Sequence, residues 1–553
     1  MDPVSYQPHG RIAVLTVNHP PVNTLSLDVR RGLMAAIERA LHDNAVDAII
    51  IIGGGATFVA GADINDFGKP YAPPSLYAIM DLIAADAKPV VAAIHGNALG
   101  GGMELALSCQ WRIAAPGAML GQPEVKLGLM PGGGGTQWWP RLAGPEIALN
   151  VCTGGAPLDA LRAHACGVVD RIAGGELLAD ALAFADDIVS GRMARRRLVE
   201  ASDKIRGIDP QLFSSYRARH REQWRGLLAP WKIVDCIEAA CRLSFADGYA
   251  LERKAFQECE HGPQSQAMIH LFFAERAAAR WPGAQPARPA PPLRTVGLVG
   301  AGTAIAALAR RLAHAGVTVA VDADGPGALA RCDLIIAAAG DDGDATAALL
   351  RRLDHSAGPD TILAVMGATP ALDALAGLTG RPDRVIGLQA CLPGTADGLL
   401  EICHGDRTDP IVHAIAARLA RQLGAAMVLT GQGARSLARR LREATRAAAA
   451  GLMAEGVARA AIVDSLHAFG FGQDSIGALC PAGGQPPPGA RAVMRGEAIL
   501  ARLLHAMANE GARCMADRLA LRAGDIDVAG VHGLGFPAHH GGPMHWAQGF
   551  ARL

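Results

Sequence analysis

Two glycine runs, Gly100-Gly101-Gly102 and Gly132-Gly133-Gly134-Gly135, fall within the single stretch Ala98 to Gln137 and constrain the fold of this 553-residue chain more than any other feature. The first run opens directly into an apolar segment of helical character, Met103 to Cys109. A glycine turn feeding a helix leaves the first N–H groups without intrahelical acceptors, at the positive end of the helix dipole. Such a turn can hold a developing oxyanion. Glu104 sits just inside that helix among Met103, Leu105, Ala106 and Leu107, and a second isolated acid, Glu124, follows the turn residue Pro123 in GQPEVKLG. Two carboxylates in apolar surroundings beside an anion-binding turn are what general acid and base chemistry needs. Taken alone, Glu104 reads equally well as a carboxylate capping the positive end of its own helix.

The length calls for three or more packing units, and half the residues are hydrophobic, enough for large cores. Lys plus Arg and Asp plus Glu balance at 52 each with no long run of one sign. That balance argues against a nucleic-acid binder or an anionic-membrane protein. The eleven cysteines are scattered without a CxxC pair. They read as small buried residues in a reducing compartment, not as zinc ligands or a disulfide framework. RIAVLTV near the amino terminus lacks a leader pattern, and Arg310, Arg311 and His314 break the apolar Val296–Val321 region. A soluble protein without membrane insertion is expected.

Four pieces in order and at their spacing, FVAGADI (Phe58 to Ile64), ALGGGMELAL, GQPEVKLG and PGGGGTQ, resemble the enoyl-CoA hydratase/isomerase (crotonase) family. The resemblance implies that the N–H groups of Ala62 and Gly101 form the oxyanion hole and that Glu104 and Glu124 are the catalytic glutamates. It also implies that the adenine of CoA folds back on the loop of Ala60, Gly61, Asp63 and Ile64.

Taken in order, residues 11–17 predict a strand, Val22 to about Leu41 a turn and helix, and Asp47–Ile52 and Val90–Ile94 buried strands. From about Gly174 to Arg280 the pattern turns helical, and Leu251 to Arg276 resembles the connecting helix of type 1 multifunctional enzymes of β-oxidation. Pro282 to Pro292 is a Pro/Ala-rich linker. The expected fold class is α/β: a crotonase (spiral ββα) domain at 1–190, a helical extension with the connecting helix at 191–281 and a linker at 282–293. A Rossmann-like domain at 294–430 and a shortened helical domain of the dehydrogenase carboxyl-terminal type at 431–553 complete it.

Thr295–Val299 reads as a strand opening into Gly300-Ala301-Gly302, then a helix, then a strand ending at Asp322. Ile305 stands at the third position of the glycine fingerprint, which counts against dinucleotide affinity. Arg381 to Ile402 resembles the 3-hydroxyacyl-CoA dehydrogenase signature, with departures. The family's catalytic His falls on Gln389, its partner Glu on Glu401, the substrate-contacting Ser on Ala368, a Glu near nicotinamide on Ala337, and an Asn on Leu437. A glutamine cannot take a proton from a hydroxyl at neutral pH, so the base is missing. Glu401, without its imidazole, is expected to be an ordinary carboxylate.

His539, His540 and His545 cluster without spaced partner ligands, so no metal site is expected. The expected protein hydrates trans-2-enoyl-CoA, with Δ3-Δ2 isomerase activity, and needs no cofactor for hydration; its dehydrogenase half is expected to be inactive and NAD binding is not expected. Alternatives are a true NAD-dependent bifunctional hydratase–dehydrogenase, or a second half that is structural or docks a partner such as a thiolase. The substrate is an acyl-CoA thioester, and a monomer or small oligomer is expected. The closing Ala551-Arg552-Leu553 loosely resembles a Ser-Lys-Leu peroxisomal address, but bacterial cytoplasm is the expectation.

Overall fold

The apolar run Ile12–Val17 forms the second strand of a six-stranded sheet. The computed structural model describes residues 2–85, 88–193, 196–281, 290–321, 326–338, 343–367, 372–391, 398–432, 435–481 and 494–550. The chain divides into two units, Met1–Ile269 and His270–Leu553.

In the first unit the sheet takes β1 (Val4–His9), β2 (Ile12–Val17), β3 (Ala48–Gly53), β4 (Val90–Ile94), β6 (Trp111–Ala114) and β9 (Arg171–Ile172) in that order; β5 (Asn97–Leu99), β7 (Met119–Gly121) and β8 (Leu158–Asp159) form a small second sheet. β1 and β2 are antiparallel, and β2 to β9 run parallel, with Leu15 beside Ile51 and Ile51 beside Ala92. Continuous apolar runs such as AIIIIG in β3 and VVAAI in β4 are needed because cores cover both faces. β1 carries mostly exposed residues and lies at the sheet edge, which explains why periodicity before Ile12 gave no strand.

The helices from 211 to 260 are not an appendage. Phe213, Tyr216, Trp224, Ile233, Ile237, Ala255 and Cys259 enter the same core as β2 and β3.

The second unit holds a seven-stranded sheet. Its strands are β10 (Thr295–Val299), β11 (Thr318–Val321), β12 (Leu334–Ala338), β13 (Ile362–Met366), β14 (Val385–Cys391), β15 (Gly398–Cys403) and β16 (Ala425–Thr430), ordered β11-β10-β12-β13-β14-β15-β16. All neighbours are parallel except β14 and β15. Order reverses at β10, the place where Rossmann-like sheets open a crevice. Long helices, Leu437–Ala454 and Gly496–Ala516 among them, build a separate apolar core.

The eleven cysteines are free and buried or half-buried. Among the described residues no helix is long and apolar enough to cross a membrane.

Candidate active site

The Gly101–Ser108 helix starts where Gly100 turns the chain at φ 53°, a left-handed angle that glycine adopts without strain. The next constraint is contact. A carbon added at Gly102 would lie 2.1 Å from the Val59 carbonyl oxygen, so only glycine lets the Phe58–Ile64 loop meet the helix start. Bridges pairing Val59 with Ala98 and Leu25 with Ala62 then fix the loop, with Leu99 N–H donating to Val59 O (3.2 Å) and Leu25 N–H to Gly61 O (2.9 Å). Gly101, the first residue of its helix, has no intrahelical acceptor for its N–H. A carbon at Gly101 would sit 3.4 Å from the Ala62 nitrogen and 3.0 Å from Leu76 Cδ2, so the Ala62 nitrogen lies close to Gly101 beside the Leu76 side chain. Of the other loop residues, Asp63 accepts from Asn65 N–H at 3.0 Å, capping the short Ile64–Asp66 turn. Ala60 N–H donates to Val22 O at 3.1 Å.

Glu104 is 3% exposed, and every residue of its helix is buried. Its Oε1 accepts from Gly133 N–H (2.6 Å) and Gly135 N–H (3.0 Å) of the second glycine run. The carboxylate therefore reaches across to another loop, and capping its own helix does not account for its place. Burial pushes its carboxyl up to about 7 against the pull of those N–H donors. Glu124 is half-buried at the start of the Glu124–Leu127 turn. Burial, then the charge of Glu104, holds its carboxyl well above the ordinary range. A carbon added at Gly100 would meet Glu124 Oε1 at 3.0 Å, which sets this acid beside the helix start.

Three residues of this site escaped the sequence reading. Gln122, fully buried, sets its side-chain amide against Glu124, 2.9 Å from Oε1 and 3.2 Å from Oε2; assigning the amide nitrogen to that side makes it a donor to the carboxyl. A carbon at Gly135 would touch both the Gln122 amide (2.8 Å) and Glu104 Oε1 (3.0 Å), so Gln122 lies between the two acids. Asn23, at φ 55° and 2% exposed, donates from Nδ2 to the carbonyls of Gly54, Thr57 and Phe58 at 2.8–3.0 Å and holds the loop before Val59. Glu252, on the Phe245–Glu260 helix, is completely buried against the second glycine run. The adjacent QPE tripeptide was a legible signal for Gln122; Asn23 and Glu252 had none beyond residue type.

The second unit places Gly300 (φ 103°) after β10 and Gly302 (φ 124°) before the Thr303–His314 helix, as a Rossmann-like turn requires. Ile305 is buried in the core with Val296, Leu308 and Ile336, so the branched side chain is accommodated between helix and sheet. Ala337 is buried in β12. Asp322 and Ala368 lie outside the described residues. Gln389 donates from Nε2 to Gly367 O. The expectation of an ordinary carboxylate at Glu401 is corrected: it is buried and accepts from Leu437 N–H (2.6 Å) and Ala438 N–H (2.9 Å), closing the start of a helix. Burial raises its carboxyl above the usual range.

His540 stacks on Phe469 at 4.0 Å and His545 on His270 at 4.5 Å. Among the described residues no three His, Cys, Asp or Glu side chains are grouped to hold a metal.

Fold and site define a crotonase-type protein carrying a second, Rossmann-like α/β sheet. Residues 8–216 match the enoyl-CoA hydratase/isomerase family model, and residues 321–433 match that of the 3-hydroxyacyl-CoA dehydrogenase NAD binding domain. The chain is 30% identical to the peroxisomal bifunctional enzyme of Danio rerio over 97% of its own length and 91% of the relative's. The corresponding Homo sapiens protein is 28% identical over 98% and 91%. An enoyl-CoA hydratase structure from Mycobacterium tuberculosis H37Rv is 26% identical over 47% of this chain and 100% of that one, with a TM-score of 0.34. The chain belongs to the family of the peroxisomal bifunctional enzymes, a crotonase domain fused to a 3-hydroxyacyl-CoA dehydrogenase NAD-binding domain.

Proposed function

We propose that the first unit hydrates trans-2-enoyl-CoA thioesters to 3-hydroxyacyl-CoA in fatty-acid β-oxidation and also moves the double bond of 3-enoyl esters to position 2. One observation carries this reading: Gln122 lies near both Glu104 and Glu124, and Glu124 packs against Gly100, next to the neighbouring Gly101 and Ala62 nitrogens. In this mechanism the thioester oxygen accepts from those two N–H groups. As water adds at C3, negative charge moves onto that oxygen, and fixed donors stabilise the enolate more than the ground state. Glu104 and Glu124 hold the water; one takes its proton while the other gives a proton to C2. A carboxyl held near 7, as at Glu104, is poised for either role at neutral pH. Glu124 carries the proton from C4 to C2 in isomerisation. The hydration balances without a redox cofactor. The CoA adenine lies on the loop of Ala60, Gly61, Asp63 and Ile64.

We read the second unit as unable to oxidise the product. Support comes from Gln389 in place of a base, and from Glu401 engaged by the Leu437 and Ala438 N–H groups. A bifunctional, NAD-using enzyme is the second reading, favoured by the NAD-binding-domain match and by the relatives' bifunctional names. Crotonyl-CoA with NAD, following loss of the enoyl absorbance and appearance of NADH separately, decides both. Enoyl loss without NADH is expected. Calorimetric titration with NAD separates a silent enzyme from a structural or thiolase-docking module, and sedimentation gives the oligomeric state. The relatives' names support a peroxisome, and a bacterial cytoplasm is the alternative. Partition of a tagged chain between cytosol and organelles distinguishes them.

A further inference from the structure

The Gly133–Thr136 segment is gripped from two sides by two buried carboxylates. Gly133 and Gly135 donate their N–H groups to Glu104, while Gly134 (2.5 Å) and Thr136 (2.8 Å) donate theirs to Glu252. Odd positions serve one acid and even positions the other. The Thr136 hydroxyl also donates to Glu252 Oε2, and Gln137 Nε2 donates to that hydroxyl at 3.0 Å. Glu252 reaches this segment because its helix comes very close to it: a carbon at Gly248, one turn earlier, would lie 2.1 Å from Gln137 Oε1. The residue lies beyond the span 8–216 that matches the hydratase family, on a helix the first unit holds in its core. A fully buried carboxyl with three donors and no cation among them is costly to ionise, and its two oxygens are both taken up by the loop that also holds Glu104.

We propose that Glu252 is a positioning residue for hydration, fixing Glu104 through the shared Gly133–Thr136 segment. Holding Gly134 and Thr136 from one side aims the Gly133 and Gly135 N–H groups at Glu104 on the other, so the acid keeps one orientation. Those two N–H groups favour the ionised form of Glu104 against burial. Burial and then the charge of Glu104 push the Glu252 carboxyl up to about 8, so Glu252 holds the segment as the later of the two acids to ionise. The other titratable groups in its field are Glu124, Tyr77 and Tyr249, with the thiols of Cys152 and Cys236. None of these supplies a compensating positive charge.

This inference rests on the hydratase reading, and its test keeps the two apart. E252Q retains the shape of the side chain but replaces one of the two oxygens that accept from Gly134 and Thr136. Its kcat for crotonyl-CoA hydration is expected to fall about tenfold to a hundredfold, the scale of a small misplacement, with KM within about twofold. The limb of the pH profile reporting Glu104 is expected to move to higher pH by about half a unit or more, because the Gly133 and Gly135 N–H groups, no longer aimed, favour its ionised form less. T136V, which removes only the hydroxyl donor, should move kcat and that limb less than E252Q and decides the matter if E252Q does not fold. Infrared titration of the protonated carboxyl bands in wild type and variant reads the same coupling without substrate. Unchanged kcat and an unmoved limb overturn the proposal. A loss of kcat with the limb and the carboxyl bands unmoved also overturns it, since a purely structural anchor would do that. A wild-type chain that fails to hydrate crotonyl-CoA overturns the hydratase reading, while the infrared titration still decides whether Glu252 fixes Glu104.

Discussion

Gln389 and Glu401 stand directly opposite each other across the antiparallel pair β14–β15, yet each is bonded elsewhere. Gln389 donates to Gly367 O, and Glu401 accepts from the N–H groups that open the Leu437–Ala454 helix. A carboxylate that would orient an imidazole is thereby spent on a helix end. The first expectation follows: purified protein with 3-hydroxybutyryl-CoA and NAD makes no NADH, and Q389H alone does not restore it. Reduced-cofactor absorbance within two or three decades of an ordinary roughly 10 per second would establish the bifunctional reading instead.

Glu104→Gln and Glu124→Gln should each lower hydration about a hundredfold or more, the usual scale for a positioned acid or base. Isomerisation should suffer more from the Glu124 change. The measurement is turnover of crotonyl-CoA and of a 3-enoyl ester by folded variants; near wild-type rates would remove that residue from the mechanism.

Gly101→Pro removes one donor N–H beside the Ala62 nitrogen at the first helical position, which tolerates proline, and sets its ring against Leu76 Cδ2. Activity should be abolished while CoA-ester binding, read by calorimetry, persists. Retained binding together with retained turnover would exclude Gly101 as a donor.

The buried acids also set how stability depends on pH. Glu104 and Glu252 are pushed up to about 7 and about 8 from an ordinary 4.5, chiefly by burial. Between those values the native state holds more protons than the unfolded chain, so stability falls as pH rises. Their contribution is complete below about pH 4.5 and lost as pH passes about 7 to 8. Thermal melts across this window should show Tm declining, and E104Q/E252Q should decline less steeply. Parallel slopes would mean the acids are not the cause.

What the sequence alone determined is the local chemistry. Glycine runs that free N–H groups, an acid one position inside a helix, Pro before Glu124, and continuous apolar runs for strands covered on both faces all act within a few residues. They led to Glu104, Glu124, the strand at Ile12–Val17 and the paired glycine loops without any knowledge of contacts. The edge strand Val4–His9 was not legible, because its side chains are mostly exposed and carry no apolar alternation.

Only tertiary structure decided the rest. Glu252 meets Thr136 across 116 residues of chain, and Asn23 meets Phe58 across 35. Nothing in a helix reading LERKAFQ distinguishes a carboxylate facing water from one facing two buried N–H groups; closure of the long loop makes that choice. Glu401 is the converse case, since its neighbours in sequence match a known signature while its hydrogen bonds lead to residues 437 and 438. Side-chain chemistry is written locally, but the partner that fixes its charge and orientation is set by packing between distant segments. A buried carboxylate draws its properties from that partner.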